Sequence, residues 1–263
     1  MTDSNFQAAK HIVDENVFEL LKTVIQQSKD CSRSNEVSLA LLYFLVRVAN
    51  TWRSIRTLQN NSSEGDGFLL DAGVLLRAMY DAYLQAAYIV HNPEDQSERA
   101  KEYLDFEAVE RYKIANKLII YDNPLANKLK SSPARAKGEK DLIDKFNQVK
   151  DKYLCKHHQS DDSSKSSTKT RNKWYKGTLP DIAAKMSKQV EYDFFVATLH
   201  GCVHSSAYAV SKGPPTSPEN VLYWASKIAT QVAQLNVKHN KIELNALQQQ
   251  ILELLCKDIT KIE

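Results

Sequence analysis

Arg77 and Asp81 lie one helical turn apart in a segment, residues 68–90, that is otherwise almost entirely apolar. A helix that is apolar on nearly every side is typical of a buried helix. An unpaired guanidinium or carboxylate in such a place costs on the order of several kcal/mol, so the two side chains are expected to pair with each other or with a group elsewhere in the core. An arginine held in this way is suited to bind a phosphate group or a developing oxyanion.

Two histidines, His200 and His204, lie at positions i and i+4 of a later segment, residues 199–206. This spacing places both imidazoles on one face of a helix, where they can hold a divalent metal ion. A third ligand would have to come from another helix, and Asp81 is the obvious donor, but the charge of Arg77 beside it would repel a cation. We therefore predict no metal and no cofactor, and two histidines that form hydrogen bonds inside a polar pocket.

A histidine titrates near neutral pH, so His204 together with Arg77 and Asp81 provides the parts of an acid–base site. These three residues are the candidate catalytic group, and His200 and Tyr192 are candidate ligand contacts. The alternative interpretation is structural, with an Arg–Asp pair and a histidine that hold two helices together.

The middle of the chain is basic: residues 128–176 contain fourteen Lys and Arg against six Asp and Glu, although the whole chain has a net charge of only +3. A tract rich in Ser, Thr and charge lies within this segment and cannot bury enough apolar surface to order itself. We expect a disordered basic loop, a flexible insert at about residues 156–173, that contacts RNA or another polyanion. Its candidate ligand-binding residues are Lys169, Arg171, Lys173 and Trp174. A solvated loop without a partner is the alternative.

Helices are expected to position these residues, because only seven glycines and seven prolines are available for turns. An all-β sandwich or barrel needs more turns than this composition supports. Apolar residues that recur at three- and four-residue steps predict an all-α helical bundle of about seven helices. We predict a single domain over residues 1–263, with one long, uninterrupted C-terminal helix over residues 217–254.

The sequence also argues against a membrane or secreted protein. The longest apolar run, residues 37–46, is well short of the roughly 20 residues that a membrane span needs, and the first residues do not resemble a signal peptide. Four cysteines without a short repeated spacing are expected to be reduced thiols: Cys31, Cys155, Cys202 and Cys256. We expect a cytoplasmic protein. The motifs of the commonest phosphate-loop, dinucleotide-binding and hydrolase classes do not occur.

Residues 75–84, which contain Arg77 and Asp81, and the later segment 192–206, with its Tyr and Val-His-Ser residues, together resemble a bacterial helical family called domain-of-unknown-function family 5677. Members of that family carry an Arg-x-x-x-Glu helix and a later Tyr…Val-His-Ser helix. The resemblance spans most of residues 37–211 and implies a helical fold. In this chain, an aspartate takes the place of the family's glutamate.

A weaker similarity is to the helical nucleotide-binding and ribonuclease domains of toxin and phage-defence systems, known as HEPN domains. Those domains place Arg and His a few residues apart on one helix, whereas this chain has Arg77 and His204 on separate helices.

We expect a binding or effector module of bacterial defence or stress response that engages RNA or a phosphate-bearing ligand. One alternative is a metal-independent ribonuclease, with His204 as general acid–base and Arg77 as phosphate clamp. Another is a non-catalytic structural homodimer, in which the long last helix pairs with its copy.

Overall fold

The computed structural model describes residues 3–61, 67–120, 133–154, 170–203 and 217–256. Over these residues the backbone forms nine α-helices and one short 3-10 helix, Lys150–Tyr153, with no strand. The helices are α1 Asp3–Cys31, α2 Glu36–Asn61, α3 Gly67–Val90, α4 Gln96–Ile120, α5 Pro133–Val149, α6 Leu179–Lys185, α7 Gln189–Val203, α8 Pro218–Asn240 and α9 Ala246–Cys256. The prediction of an all-α fold is confirmed.

The chain is divided into two compact units. Unit 1 consists of Met1–Ser97 and Gly177–Glu263, and unit 2 of Glu98–Lys176. The division does not test whether the two units fold together, so the single domain stays a prediction.

Helix α8 is the central helix of unit 1, where it packs against α1, α2, α3 and α9. Its inward side chains follow the three- and four-residue steps of an amphipathic helix, and Val221, Ala225, Ile228 and Val232 are all buried. Helices α2 and α3 pack against this apolar stripe. Because Arg77 belongs to α3, this packing fixes the position of Arg77.

Polar side chains also lie in the core of unit 1. Asn236 of α8 is 0% exposed; its Oδ1 accepts a hydrogen bond from Ser28 Oγ at 3.3 Å, and its Nδ2 donates to the carbonyl oxygens of Leu41 at 3.3 Å and Val232 at 3.0 Å. One amide therefore connects α1, α2 and α8. The hydrophobic periodicity of the sequence does not reveal this connection.

The C-terminal segment differs from the uninterrupted helix that the sequence predicts. Helix α8 ends at Asn240 because Lys241 takes a left-handed conformation, with φ 54° and ψ 44°. A new helix then begins after Asn245, whose N–H donates to Gln248 Oε1 at 3.2 Å while Oδ1 accepts from the Gln248 N–H at 2.9 Å. This reciprocal pair is a capping box, which satisfies backbone donors at a helix start.

Unit 2 is organised around aromatic contacts. Tyr112 of α4 and Phe146 of α5 stack with ring centroids 3.7 Å apart. Tyr153 is 0% exposed, and its hydroxyl donates to the carbonyl oxygen of Glu102 at 2.7 Å. These contacts hold the 3-10 helix against α4.

The predicted flexible insert, residues 156–173, lies mostly outside the described residues. Its final part is described, and there Thr170 is buried and forms an isolated antiparallel bridge with Leu154. Lys113 of α4 donates to the carbonyl oxygens of Thr170, at 3.1 Å, and Arg171. Thr170, Arg171 and Asn172 are therefore held against α4 by Lys113.

Three of the four cysteines, Cys31, Cys202 and Cys256, are free thiols, and Cys155 lies outside the described residues. None of the helices in the described part of the chain combines the length and the apolar composition that a membrane span requires.

Candidate functional site

Helices α3 and α7 pack closely at Gly73. A Cβ atom on this glycine would lie 2.8 Å from Sγ of Cys202 and 3.7 Å from Cδ2 of Leu199. A larger residue at position 73 would push α7 away from α3, so the glycine permits the distance at which side chains of the two helices meet. Arg77 follows Gly73 by one helical turn on α3.

Arg77 and Asp81 pair with each other, as their spacing predicts, and Arg77 also contacts α7. Its Nε donates to Asp81 Oδ1 at 2.9 Å, and its Nη2 donates to the hydroxyl oxygen of Tyr192 at 3.2 Å. The guanidinium carbon also lies 5.2 Å from the centroid of the Tyr192 ring. The Arg77 side chain is 15% exposed and the Asp81 side chain 30%. The guanidinium is thus fixed on two sides, through Nε and Nη2, and no described residue accepts a hydrogen bond from Nη1.

The Asp81 carboxyl is partly desolvated. Burial raises its pKa above the usual range, and the charge and hydrogen bond of Arg77, with a smaller contribution from the charge of Arg47, offset this rise only in part. Arg77 thus stabilises the carboxylate without fully compensating for the lost water.

A second polar group lies beside this pair, where Lys188 precedes α7. Its Nζ is 3.2 Å from Glu191 Oε2 and 5.3 Å from the centroid of the Tyr83 ring. Burial alone would lower the pKa of Lys188, but the neighbouring Tyr83 and Glu191 outweigh burial and raise it. Lys188 therefore remains a cation at neutral pH.

Tyr80 lies between the two groups and is 0% exposed. Its ring is 6.5 Å from that of Tyr192 and stacks on Phe195 with centroids 4.2 Å apart. Its hydroxyl oxygen is buried and interacts with the neighbouring Glu191 carboxylate, although the pair does not reach the geometry of a full hydrogen bond. Burial raises the pKa of Tyr80, and the nearby Glu191 raises it further.

We call these residues the Arg77 cluster: Arg77, Tyr80, Asp81, Tyr83, Lys188, Glu191 and Tyr192. The pKa values of Tyr80, Asp81, Tyr83 and Lys188 are all raised. A raised pKa leaves the phenols and the ammonium protonated at neutral pH, so none of these three is prepared to act as a base.

The structure brings together three of the residues that the sequence singles out, Arg77, Asp81 and Tyr192. His200 is exposed and lies on α7 about 12 Å along the axis from Tyr192, at about 1.5 Å per residue. His204 and Lys169 lie outside the described residues. The convergence of His204 with Arg77 therefore stays a prediction.

The other candidate ligand contacts belong to unit 2. The Arg171 guanidinium lies 4.9 Å from the centroid of the Tyr153 ring, and Lys173 Nζ lies 5.2 Å from that of Tyr175. Trp174 is 3% exposed and packs edge-on against Tyr103, with centroids 5.7 Å apart. Its ring is therefore part of the core of unit 2 and does not present a free face to a ligand.

Lys188 and Glu191 were not identified from the sequence. The only signal was their i, i+3 spacing at a helix start, which many solvated surface pairs share. In the part of the chain that is described, no group of three or more His, Cys, Asp and Glu side chains is placed to hold a metal ion.

Comparison with family models matches residues 38–212 to a "Family of unknown function (DUF5677)". The matched region includes α3 and α7, and hence Arg77, Asp81 and Tyr192. Comparison with curated proteins and with solved structures finds no match. The similarity to HEPN domains is not shown by these comparisons.

Proposed function

We propose that this chain, which belongs to the family of unknown function DUF5677, is a binding module that holds a phosphate-bearing ligand at Arg77. The observation that carries the proposal is the geometry of the guanidinium: Asp81 and Tyr192 fix it through Nε and Nη2, and no described residue accepts a hydrogen bond from Nη1. The phosphate can belong to an RNA strand, or to a small molecule such as a free nucleotide or a sugar phosphate.

The rigidity of Arg77 supports ligand binding on energetic grounds. Immobilising a long side chain at an interface costs roughly 0.5–1.5 kcal/mol, and here folding has already restricted this one. Arginine also matches the oxygens of a phosphate group better than lysine does, because its donors lie in a planar fork. The Arg77 side chain is only 15% exposed, and partial shielding from water strengthens the attraction of its charge for an anion.

The charges around Arg77 favour an anion only slightly. Arg47 and Lys188 add two positive charges, and Asp81 and Glu191 add two negative ones. The neighbours thus cancel and Arg77 itself supplies the net charge. Asp81 orients the guanidinium through Nε but also competes with a ligand for it. The cluster therefore provides about one net positive charge, which suits a single phosphate group better than a chain of several phosphates.

The ribonuclease and homodimer hypotheses stay predictions. The first depends on His204, outside the described residues, and the second on a surface for which no partner copy is present.

The proposal is tested by isothermal titration calorimetry with inorganic phosphate and with a 5′-phosphorylated single-stranded RNA. Arg77→Gln is expected to weaken binding of both probes at least tenfold, because a charge-assisted hydrogen bond contributes about 1.5–3 kcal/mol. Arg53→Gln is the matched control, since Arg53 is an exposed arginine of unit 1 that lies 5.8 Å from the Phe18 ring. This variant should bind as the wild type does.

Tyr192→Phe keeps the aromatic ring beside Arg77 and removes only the hydroxyl that accepts from Nη2. It should weaken binding severalfold while leaving the circular dichroism spectrum unchanged. If Arg77→Gln fails to fold, Arg77→Lys provides the test, because lysine keeps the positive charge but lacks the planar set of donors of the guanidinium. The proposal is wrong if neither probe binds the wild type, or if the Arg77 variants bind both probes as tightly as the wild type does.

A further inference from the structure

A small pocket opens beside the Arg77 cluster, between α3, α7 and α8. Its volume is about 150 Å³, and it is lined by Leu76, Phe194, Phe195, Thr198, Leu199, Asn220 and Trp224. We call it the aromatic pocket. None of these side chains forms part of the Arg77 cluster.

Aromatic rings from two helices form the walls of this pocket. Phe194 and Phe195 of α7 lie 6.0 Å and 5.1 Å from Trp224 of α8, measured between ring centroids. Phe194 is 52% exposed, and Tyr223, the neighbour of Trp224, is 44% exposed. Large aromatic side chains that are grouped and accessible often mark a binding surface.

The lining is also partly polar. Thr198 contributes a hydroxyl, and Asn220, which is exposed in the first turn of α8, contributes an amide with both a donor and an acceptor. A pocket for an acyl chain would be apolar throughout, and drug-sized ligands occupy pockets of roughly 300–1,000 Å³. The space here therefore suits one planar ring system with polar edges.

Phe195 connects the aromatic pocket to the Arg77 cluster. One face of its ring stacks on Tyr80 with an interplanar angle of 13°, and Trp224 packs against it edge-on. Tyr192, which holds Arg77, precedes Phe195 by three residues on α7, which is about 4.5 Å along the helix axis. The aromatic pocket and the Arg77 cluster thus lie on the same two helices, α3 and α7, and are joined by the stacked rings of Phe195 and Tyr80.

We propose that the aromatic pocket receives the base of a nucleotide whose phosphate is held by Arg77. This inference rests on the proposed function and specifies its ligand as a nucleotide, either free or as one unit of an RNA strand. Stacking of a base on aromatic side chains contributes roughly 1–3 kcal/mol, and proteins read single-stranded bases by stacking together with hydrogen bonds to their edges. The amide of Asn220 and the hydroxyl of Thr198 are the groups that read the base edge.

The test compares three probes on the intact chain by calorimetry: adenosine 5′-monophosphate, ribose 5-phosphate and inorganic phosphate. The wild type is expected to bind the nucleotide about tenfold tighter than ribose 5-phosphate, which is the lower part of the range for one stacked base. Phe194→Ala should remove this difference and leave the affinity for ribose 5-phosphate unchanged. Val190→Ala is the matched control, because Val190 is an exposed apolar residue of the same helix, 82% exposed and outside the pocket lining.

Failure of the pocket and failure of the phosphate site give different results. If the nucleotide and ribose 5-phosphate bind equally, or if Phe194→Ala leaves nucleotide affinity unchanged, the base pocket is overturned while the phosphate site survives. If nucleotide binding depends on Phe194 but not on Arg77, the phosphate site is overturned instead. The proposal that one nucleotide occupies both sites is then overturned as well. Binding of phenylalaninamide without any binding of the nucleotide would assign the pocket to an aromatic side chain of a partner and overturn the proposal.

A short single-stranded RNA distinguishes the two sources of the nucleotide. If RNA is the ligand, the strand should bind more tightly than the mononucleotide, and Phe194→Ala should weaken it about tenfold, the loss of one stacked base. If the free nucleotide is the ligand, the mononucleotide should bind at least as tightly as the strand does.

Discussion

The backbone of Gly73 and the thiol of Cys202 approach so closely that a Cβ on Gly73 would lie 2.8 Å from the sulfur atom. The two residues belong to α3 and α7, the helices that carry Arg77 and Tyr192. Cys202 is 4% exposed, and its short side chain has few alternative positions. This contact therefore sets the distance over which Arg77 reaches Tyr192.

Gly73→Ala is expected to destabilise the protein. Alanine is favoured over glycine inside a helix by about 0.5–1 kcal/mol, but overpacking of a tight core typically costs about 1–3 kcal/mol. The overlap should therefore outweigh the helix preference, and urea denaturation should show a net loss of about 1 kcal/mol. Phosphate affinity should fall with it, because α7 carries Tyr192 away from Arg77.

Cys202→Ala provides the control for this prediction. It removes the sulfur atom, so that only the Cys202 Cβ remains near the new methyl group, at 3.1 Å. In this background Gly73→Ala should cost much less than in the wild type. An increase in stability on Gly73→Ala in the otherwise unchanged protein would contradict the packing argument.

Asp81→Asn is expected to change stability in a pH-dependent manner. Burial raises the pKa of Asp81 above its usual 3.8, so the folded state binds this proton more tightly than the unfolded state does. The resulting stabilisation is complete below the unfolded-state pKa and is lost as the pH rises through the folded-state pKa. Asparagine resembles the protonated acid, so the variant should have a higher Tm than the wild type at pH 7 and an equal Tm near pH 3.

Thermal denaturation monitored by circular dichroism at both pH values measures this difference. Asp193→Asn is the control, because Asp193 is an exposed carboxylate of α7 that accepts a hydrogen bond from Gln189. A lower Tm for Asp81→Asn at pH 7 would show that the ion pair with Arg77 outweighs desolvation. The same variant should bind inorganic phosphate more tightly, since it removes the charge that competes for Arg77.

The sequence predicts the Arg77–Asp81 pair because both the spacing and the apolar surroundings are local properties. Two opposite charges at positions i and i+4 of a buried helix have few possible partners other than each other. The sequence does not predict Lys188 or Glu191, which reach Tyr80 and Tyr83 only through the packing of α7 against α3. Partners that depend on the relative position of two helices leave no periodic signal.

The partners of Asn236 also depend on how helices pack and leave no periodic signal in the sequence. Replacement of Asn236 is the subject of the third prediction. Asn236→Ala removes hydrogen bonds that connect α1 and α2 to α8 and leaves the buried Ser28 hydroxyl without its partner. An unpaired buried polar group costs about 1–3 kcal/mol, so a loss of about 2 kcal/mol or more is expected in urea denaturation. Asn50→Ala, at an exposed position of α2, should change stability by less than about 0.5 kcal/mol. Equal effects of the two substitutions would contradict a structural role for Asn236.

The break between α8 and α9 is less visible in the sequence than a break at glycine or proline would be. The segment between the helices contains neither residue, and apolar positions continue at helical steps on both sides. The sequence does contain one signal for a new helix start, Asn245 followed three residues later by Gln248, and these two residues form the capping box in the structure. Apolar periodicity alone predicts a continuous helix because it contains no information about caps.

Lys241 supports a fourth prediction, because a lysine occupies the left-handed conformation that glycine normally takes after a helix. This conformation costs roughly 1–2 kcal/mol for a residue with a Cβ and almost nothing for glycine, although glycine loses more backbone entropy on folding. Lys241→Gly should therefore stabilise the protein by up to about 1 kcal/mol in urea denaturation. Lys238→Gly makes the same substitution in the last turn of α8, where the backbone is helical, and should destabilise by about 1 kcal/mol. A loss of stability in both variants would mean that the Lys241 side chain contributes more than its backbone conformation costs.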